Sequence, residues 1–359
     1  MKHCIISSVV AACLAITAHA VPGNVPASYP TDTLKSWPPA PAEALKNMIA
    51  KNAHKSNYAV FDADNTIWKN DISEAAIAYL ENRGIITRET MDPSLKLIDF
   101  KDDASNTESL HSYYTRLCEI DVMICYPWIA QVFSGLTLRE LKCHIDDLFA
   151  LNVTIPTTKW KDGAAVQCEV EPPKVFTKQV ELINELQNNG IEVYIVSASN
   201  EEIVRMVVSD PKYGYNVKPE NVLGVATILK CAKTGELTSS RKQISAGTYN
   251  ETANLDLELS THLWTPATWY AGKWAAILTY VDMWKKPVLA AGDTPGSDTY
   301  MHFNVDMDKG GLRLWVKQSP ESYEELQTLI AESVQGQKEN GLAVTADKCW
   351  VYVRPHELL

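Results

Sequence analysis

The chain has 359 residues, of which 46% are hydrophobic and 21% are charged, and its formal net charge is −11. This length allows one large domain or two modest domains with an ample core. The acidic excess argues against nucleic acid and against an anionic membrane surface as partners, so we expect neither. The oligomeric state stays open.

The first 20 residues have the pattern of a secretory signal peptide. Lys2 precedes an apolar run over Cys4–Thr17, and Ala18-His19-Ala20 supplies small residues for cleavage. The run is short for a membrane anchor. Removal of residues 1–20 would leave 32 basic against 44 acidic residues, a formal charge of −12. We therefore expect a secreted or periplasmic protein.

Residues 21–45 form a predicted N-terminal extension. Six prolines between Pro22 and Pro41 prevent a regular element over most of this segment. A short helix is expected over about 42–52, and it leads into a strand of four residues, Tyr58–Phe61.

Two carboxylates and a hydroxyl follow that strand directly, at Asp62, Asp64 and Thr66. Side chains alternate along an extended segment, so Asp62 and Asp64 should point the same way at the carboxyl end of the strand, where open α/β sheets bind ligands. Two negative charges at the end of a buried strand suggest a bound divalent cation. The alternative is a turn whose Asp and Asn residues cap the next segment, which fits the short pattern taken alone.

The residues after Trp68 predict a mainly helical cap domain over 71–172. Helical spacing of apolar residues is visible over 72–83, and Gly84 ends that helix. Aromatic residues are frequent in the segment, and filling of the core explains most of them. Further helical stretches lie at 113–118, 122–133 and 138–149.

The second half returns to strand and helix patterns, so the predicted catalytic core consists of 46–70 and 173–359. Two predicted strands end in polar groups: Glu192–Val196 runs into Ser197, and Val288–Ala291 runs into Gly292-Asp293. An α/β fold with a parallel sheet follows from this rhythm. The remaining predicted elements are a helix over 175–187, a hairpin-like region formed by 222–229 and 236–238, a helix over 272–281 and an edge strand over 312–316.

Polar residues at the ends of three predicted strands, together with one lysine, form the candidate site. Lys273 begins the helix 20 residues before Asp293, and Asp298 lies five residues after Asp293. Alone, Lys273 would be a surface lysine. In order, Asp-x-Asp-x-Thr, a strand-final Ser, a helix-start Lys and Gly-Asp-x-x-x-x-Asp resemble the four motifs of the haloacid dehalogenase superfamily of phosphohydrolases. This resemblance implies a three-layer Rossmann-like core with a cap inserted after the first strand.

A closer resemblance is to the secreted bacterial phosphorylcholine phosphatases. It is carried by Phe61–Trp68, by Ser197-Ala198-Ser199 and by Gly292–Asp298. It implies a small phosphomonoester that bears a quaternary ammonium group, with Tyr113, Tyr114 and Trp68 as candidate substrate contacts. The sequence departs from that group where Ser112 stands in place of a Glu. Glu108 or Glu119 is a candidate replacement.

The resemblance also implies roles for individual residues. Asp62 would attack phosphorus and form an aspartyl phosphate, and Asp64 would act as general acid and then as general base. Ser197 and Lys273 would bind the transferring oxygens. Mg²⁺ would be held by Asp62, Asp64 through its carbonyl, and Asp293. Thr66 and Asp298 would support the site.

Two other functions stay open at this point. A phosphatase of this type could act on a different small ester, such as a phosphoserine-like or sugar phosphate. The Ser at position 112, in place of the expected Glu, is compatible with such a substrate. A non-catalytic binding protein on the same scaffold is the third reading.

Cysteines and glycosylation patterns add context for an exported protein. Six cysteines follow the signal segment, and their even number permits disulfides whose pairing the sequence does not give. None has the close spacing of a zinc site. Asn152 and Asn250 fit the glycosylation pattern, which matters only for a eukaryotic source.

Overall fold

A six-stranded parallel sheet forms the centre of the computed structural model, which describes residues 33–104 and 106–359. The predicted signal peptide 1–20 lies outside the described residues. Of the predicted extension 21–45, residues 33–45 are described, and the first helix already begins within them at Pro39. Residues 34–359 form one compact unit.

The strands of the described residues are β1 (Tyr58–Phe61), β2 (Trp68–Lys69), β3 (Ile155–Lys161), β4 (Ala164–Val170), β5 (Lys174–Val175), β6 (Glu192–Asn200), β7 (Val222–Val225), β8 (Thr227–Cys231), β9 (Leu237–Thr238), β10 (Leu257–Leu263), β11 (Leu289–Gly292), β12 (Leu312–Val316) and β13 (Trp350–Val353). The α-helices are α1 (Pro39–Asn52), α2 (Ile72–Asn82), α3 (Leu110–Ile120), α4 (Val122–Gln131), α5 (Leu138–Ala150), α6 (Thr177–Asn188), α7 (Glu201–Val208), α8 (Ser240–Ser245), α9 (Glu251–Asn254), α10 (Ala271–Tyr280), α11 (Pro295–His302) and α12 (Pro320–Glu339).

The main sheet has the order β13-β12-β11-β1-β6-β7, and every neighbouring pair is parallel. Val60 and Ala290 face a cluster that includes Ile277 of α10 and Met301 of α11. The alternate residues, such as Phe61 and Ile195, are fully buried as well. Both faces are therefore covered, as a parallel sheet requires. The predicted α/β class is confirmed.

The chain order reverses at β1. From β1 the chain places β6 and β7 on one side, and β11, β12 and β13 on the other. Such a switch point leaves a crevice outside the carboxyl ends of the strands, which is where ligands bind in open α/β sheets. The residues that follow β1 and β11 therefore occupy the position expected of a binding site.

The long segment between β2 and β5 is an insertion whose two ends are held together. Trp68 pairs with Val175 and Lys69 pairs with Lys174, in antiparallel register. The segment contains α2 to α5, as its helical pattern predicts, and also the β3–β4 hairpin, which the sequence analysis missed. The division into core and cap stays a prediction.

The side chain of Asp71 fixes where the insertion's first helix begins. Its carboxylate accepts the backbone N–H groups of Ser73 and Glu74, at 2.8 and 2.9 Å. These N–H groups have no partner within the helix, so the cap stabilises the start of α2. Gly84, with φ of +67°, follows the end of the helix, in agreement with the predicted stop.

Two parts of the sheet prediction are wrong. Residues 312–316 form β12, but this strand is internal, because β13 pairs outside it and forms the edge. Residues 222–225 of the predicted hairpin join the main sheet as β7. The hairpin partner of β9 is β8, and β10 adds a third antiparallel strand. Strand neighbours depend on long-range pairing, which local pattern does not report.

Backbone hydrogen bonds tie the insertion to β10. Gly135 and Leu259 are joined by a 2.9 Å N–H···O bond, and Leu259 donates in turn to Leu136 at 3.0 Å. Arg139 donates to Leu255 at 2.8 Å. The α4–α5 connection is therefore attached to the second, antiparallel sheet.

Candidate active site

The carboxyl ends of β1 and β11 bring the first two predicted site residues together. Phe61 pairs with Ala291, so Asp62 and Asp293 follow at nearly the same height of the sheet. The Asp62 N–H donates to the Ala291 carbonyl at 2.9 Å, which fixes the backbone at that point. Both aspartates are buried, at 6% exposure each.

Lys273 reaches this acidic group from the first turn of α10. Its side chain is 1% exposed, and its ammonium group bonds to Asp62 Oδ1 and lies 2.7 Å from Asp298 Oδ1. Desolvation disfavours the charged lysine, yet Asp298 and Asp62 together raise its pKa. Lys273 is therefore a buried, protonated cation and not the surface lysine that its position alone would indicate.

Asp298 is fully engaged by its neighbours. Its Oδ1 binds Lys273, and its Oδ2 accepts the backbone N–H groups of Asp293 and Thr294 at 2.9 Å each. Gly292 makes room for this carboxylate, because a Cβ at position 292 would lie 2.5 Å from Asp298 Oδ2. Asp298 thus anchors both Lys273 and the loop that carries Asp293.

Asp62, Asp293 and Asp298 form a buried cluster in which one carboxylate oxygen from each lies within 4.8 Å of the others. Within the described part of the chain, Oδ2 of Asp62 and of Asp293 has no hydrogen bond, whereas Oδ1 of Asp293 accepts from Thr66 at 3.4 Å and from Thr294 at 3.2 Å. Hard divalent cations prefer such carboxylate oxygens. The site therefore fits a metal ion, for which Asp62 and Asp293 offer oxygens without a hydrogen bond from the described residues, whereas both oxygens of Asp298 are engaged.

Burial dominates the acidity of these groups. It raises the pKa of Asp62 to about 7, with Lys273 acting in the opposite direction. Burial, together with the charges of Asp62 and Asp298, raises the pKa of Asp293 well above its usual value. A cation bound beside these carboxyls would favour their charged forms and would therefore lower both pKa values.

Asp64 is held by three donors. Its Oδ1 accepts from Trp68 Nε1 at 2.8 Å and from the Ile72 N–H at 2.7 Å, and its Oδ2 accepts from Ser199 Oγ at 2.6 Å. Burial nevertheless raises the pKa of Asp64, and the Ser199 bond is the largest opposing effect. Trp68 is fully buried and is not among the residues that line the cavity described below, so it is placed to orient Asp64, and its contact with a substrate stays a prediction.

Ser197 lies at the predicted strand, but it does not line the cavity beside Asp62. It is 1% exposed, and its Oγ accepts the Ser199 N–H at 3.1 Å. Ser199, two residues further along β6 on the same face, lines the cavity instead. The role of Ser197 in binding the transferring oxygens stays a prediction.

A cavity of about 100 Å³ is lined by Asp62, Asp64 and Lys273 and by residues of the insertion. Tyr114 of α3, Tyr126 of α4 and Asp71 before α2 line it from the insertion, and we call this part of the lining its outer part. Tyr126 stacks against Tyr270, with ring centroids 6.4 Å apart. The other lining residues are Asn65, Ser73, Ile129, Ala198, Ser199, Thr294 and Ser297.

Tyr113 lies in the core of the insertion, away from this cavity. Its hydroxyl accepts the N–H groups of Leu97 and Ile98 at 2.8 and 2.9 Å, and its ring packs against Trp128. Tyr114, the next residue on α3, faces the cavity instead. A helix places consecutive residues on different faces, so one of the two adjacent tyrosines had to turn inward.

Position 112 also faces away from the cavity. The Ser112 hydroxyl bonds to Glu108 Oε1 at 2.9 Å and accepts the Trp160 N–H at 2.9 Å. Glu108 is buried and paired with Arg116, and Glu119 is exposed. Neither glutamate lines the cavity, so neither replaces the acid that the resemblance led us to expect; Asp71 is the acidic residue at the outer part.

Sequence reasoning missed Ser73, Asp71, Tyr126 and Ser199 as site residues. Strand alternation puts Ser199 on the same face as Ser197, which is a signal that was available. Asp71 precedes a helix and has a Glu three residues later, so it reads as a cap and not as a ligand. Nothing local distinguishes a tyrosine in the core from a tyrosine in a cavity, so the sequence does not single out Tyr126.

A larger cavity lies at the opposite end of the sheet. It measures about 450 Å³ and is bordered by Tyr58, Glu192 and Lys218, close to where β1 and β6 begin. It contains none of the predicted site residues. We take the smaller cavity as the candidate active site, because the buried carboxylates and the lysine converge there.

Comparison with known proteins adds the family. The chain is 55% identical over 325 residues to the phosphorylcholine phosphatase of Pseudomonas aeruginosa, and the match covers 90% of this chain and 93% of the relative. The chain belongs to the phosphorylcholine phosphatase family. The predicted family and the predicted enzyme class, a phosphoric monoester hydrolase, are thereby confirmed. No protein-family model matches the sequence.

Solved structures show the fold. A conserved protein of unknown function from Anaerococcus prevotii matches with a TM-score of 0.56 and 17% identity, covering 84% of this chain and 90% of that one. A phosphoserine phosphohydrolase-like protein from Francisella tularensis matches with a TM-score of 0.32 and 13% identity over 76% of this chain and 99% of that chain, a likeness that carries no argument.

Two further properties concern the described residues. None of their helices is long and apolar enough to cross a membrane. Cys118 and Cys125 form a disulfide at the junction of α3 and α4, and the cysteines at 143, 168, 231 and 349 are free.

Proposed function

We propose that the chain is a secreted Mg²⁺-dependent phosphatase that hydrolyses phosphocholine, or a closely related amino-alcohol phosphate, through an aspartyl phosphate. The observation that carries this proposal is the buried network in which Lys273 bonds to both Asp62 and Asp298 beside Asp293. The high identity to a phosphorylcholine phosphatase supports the substrate.

The first half-reaction transfers the phosphoryl group to Asp62. A carboxylate oxygen of Asp62 forms a bond to phosphorus, the bond from phosphorus to the alcohol oxygen breaks, and Asp64 donates a proton to the departing oxygen. Lys273 neutralises charge on Asp62 and on the phosphoryl oxygens, which lets one anion approach another.

The second half-reaction releases phosphate. Asp64, now without its proton, takes a proton from a water molecule, and the oxygen of that water attacks phosphorus. The bond between phosphorus and Asp62 breaks, so Asp62 is restored and the enzyme returns to its starting state.

Mg²⁺ would be held by the carboxylates of Asp62 and Asp293 and by the backbone carbonyl of Asp64. Its contribution, when bound, is to neutralise the carboxylates and phosphate oxygens. This assignment is supported by the Oδ2 atoms of Asp62 and Asp293, which have no hydrogen bond from the described residues.

The outer part of the cavity suits a quaternary ammonium group. Tyr114 and Tyr126 offer aromatic faces to a cation, and Asp71 adds a carboxylate beside them. The small volume of the cavity, about 100 Å³, suits a small substrate.

Export of the protein is part of the proposal. It is supported by the signal pattern in the sequence and by the Cys118–Cys125 disulfide, since disulfides persist in oxidising compartments. Mass spectrometry of the N-terminus of protein recovered from the periplasm or the medium tests it, with cleavage after Ala20 expected.

A substrate panel tests the specificity. Phosphocholine should be hydrolysed with a higher kcat/KM than phosphoethanolamine, phosphoserine or a sugar phosphate. Equal values across the panel would favour the alternative, a phosphatase of a different small ester. Absence of hydrolysis with every substrate would support the non-catalytic reading.

Two measurements test the chemistry. The Asp62→Asn variant keeps the shape of the side chain but removes the attacking carboxylate, so it should lose activity by a factor of about 10⁴ or more. EDTA should abolish activity and Mg²⁺ should restore it. Full activity in either case would refute the corresponding assignment.

A further inference from the structure

The two oxygens of the Asp64 carboxylate have different kinds of partner. Oδ1 accepts hydrogen bonds from the Trp68 indole N–H and from the Ile72 backbone N–H. Neither group can act as an acceptor, because an indole nitrogen and an amide nitrogen only donate. A proton on Oδ1 would therefore face two donors, so Oδ1 cannot carry the proton that Asp64 exchanges.

Oδ2 has one partner among the described residues, the Ser199 hydroxyl at 2.6 Å. A serine hydroxyl can donate or accept, so it can serve Oδ2 both with and without a proton. Ser199 is 5% exposed, and its own N–H bonds to Ser197 Oγ at 3.1 Å, which fixes its backbone. The hydrogen bond between Oδ2 and Ser199 can therefore be made whether or not Oδ2 carries a proton.

A second serine extends the chain of hydrogen bonds into the insertion. Ser73, in the first turn of α2, is 1% exposed, and its hydroxyl donates to Ser199 Oγ at 3.0 Å. Ser73 and Ser199 are 126 residues apart in sequence, and both line the cavity. Hydrogen bonds therefore connect Ser73 to Ser199 and Ser199 to Asp64 Oδ2.

We propose that Ser199 is a positioning residue that reserves Asp64 Oδ2 as the proton-exchanging oxygen, and that Ser73 supports it from the insertion. This inference rests on the proposed function. When Asp64 gives its Oδ2 proton to the leaving oxygen, the Ser199 hydroxyl turns to donate to the vacated oxygen and accepts from Ser73. When Asp64 takes a proton from water, the Ser199 hydroxyl turns back.

The Ser199→Ala variant tests the inference through the leaving group. A choline alkoxide needs a proton as it departs, whereas p-nitrophenolate departs without one. Loss of the Ser199 hydroxyl should lower kcat/KM for phosphocholine by about 10- to 100-fold, within the range of general acid catalysis, and lower it for p-nitrophenyl phosphate by less than about threefold.

Controls separate this role from simple packing. Ser199→Thr keeps a hydroxyl and should retain most of the phosphocholine activity. Ser240 is also buried, its hydroxyl has no hydrogen-bond partner within the described part of the chain, and it does not line the cavity. Ser240→Ala should therefore leave the hydrolysis of both substrates unaffected. Thermal unfolding of each variant reports whether it is folded.

Ser73→Ala provides the second test and serves if Ser199→Ala does not fold. It should show the same preference for p-nitrophenyl phosphate with a smaller loss, and the Ser73→Ala/Ser199→Ala double variant should be no worse than Ser199→Ala alone.

If Ser199→Ala lowers kcat/KM equally for the two substrates, or lowers it for neither, the positioning role is overturned. Activity of the parent protein on phosphocholine would still support the proposed function in that case. A parent protein that hydrolyses neither substrate would instead overturn the proposed function and this inference with it.

Discussion

Replacing Lys273 with Met removes the one side-chain cation that contacts the aspartate cluster among the described residues. The methionine is of similar length and apolar, so the cavity stays filled. Asp62 and Asp298 lose the ammonium group that bonds to both of them. The three buried aspartates, including Asp293, then have no side-chain cation beside them among the described residues.

The expected cost follows from burial. Lys273 and Asp298 are 1% and 0% exposed. Removing one partner of a buried ion pair costs about 3–5 kcal/mol, because the remaining charge is left without compensation. In a chain of this size that corresponds to a decrease in Tm of about 4–7 °C. Lys218→Met is the matched control: its partner is Glu192, its side chain is 61% exposed, and its loss should cost less than about 1 kcal/mol.

The assay is urea unfolding with EDTA present, so that no bound metal ion substitutes for the lysine. The Lys273→Met/Asp298→Asn double variant is the decisive measurement. The asparagine introduced by Asp298→Asn keeps an oxygen for the N–H groups of Asp293 and Thr294 but carries no charge, so the double variant should be more stable than Lys273→Met alone. A Lys273→Met variant as stable as Lys218→Met, or a double variant that loses the sum of both single changes, would refute the electrostatic reasoning.

Three further predictions concern the insertion. Burial raises the pKa of Glu81 to about 7 from 4.5, so the native state retains a proton that the unfolded chain releases; this contribution to stability is complete below about pH 4.5 and is lost as the pH rises through about 7. Glu81→Gln should flatten that part of a plot of unfolding free energy against pH, and an unchanged slope would contradict the shift. Replacing Cys118 and Cys125 with Ser should cost about 2–3 kcal/mol in thermal unfolding. It should also raise KM for phosphocholine more than it lowers kcat, because Tyr126 follows the disulfide directly. Tyr126→Leu should raise that KM by about 3- to 30-fold while Tyr126→Phe keeps it near the parent value, as expected if the ring face binds the ammonium group; equal effects of the two changes would argue against that contact.

Local pattern was sufficient for the elements that carry the site. Four apolar residues before Asp62 predict β1 with its observed bounds, and 288–291 predicts β11 to within one residue. The helix that begins near Lys273 is predicted over 272–281 and observed as Ala271–Tyr280. These elements are short or strongly periodic, and their sequences agree with their final environment.

Partners across long distances in sequence were beyond local pattern. Lys273 and Asp62 are 211 residues apart, and their contact depends on how α10 packs against the sheet. The same holds for Tyr113 and Tyr114: helical periodicity does not say which of the two faces the cavity, since both sides of α3 are buried. β13 forms the edge of the sheet because the hydrogen-bond pairing of strands, and not local pattern, decides the strand order.

The sequence by itself determined the chemistry of this protein: acidic groups after the apolar strands β1 and β11, and a lysine at the start of a helix, in an order typical of phosphohydrolases. Only the tertiary structure decided which groups are available. In the folded chain, Asp298 bonds to Lys273 and to two backbone N–H groups, and Asp64 Oδ2 accepts a hydrogen bond from Ser199. One oxygen each of Asp62 and Asp293 has no hydrogen bond from the described residues. The physical reason is that a residue type fixes how many hydrogen bonds a side chain can make, whereas packing fixes which of them are already made.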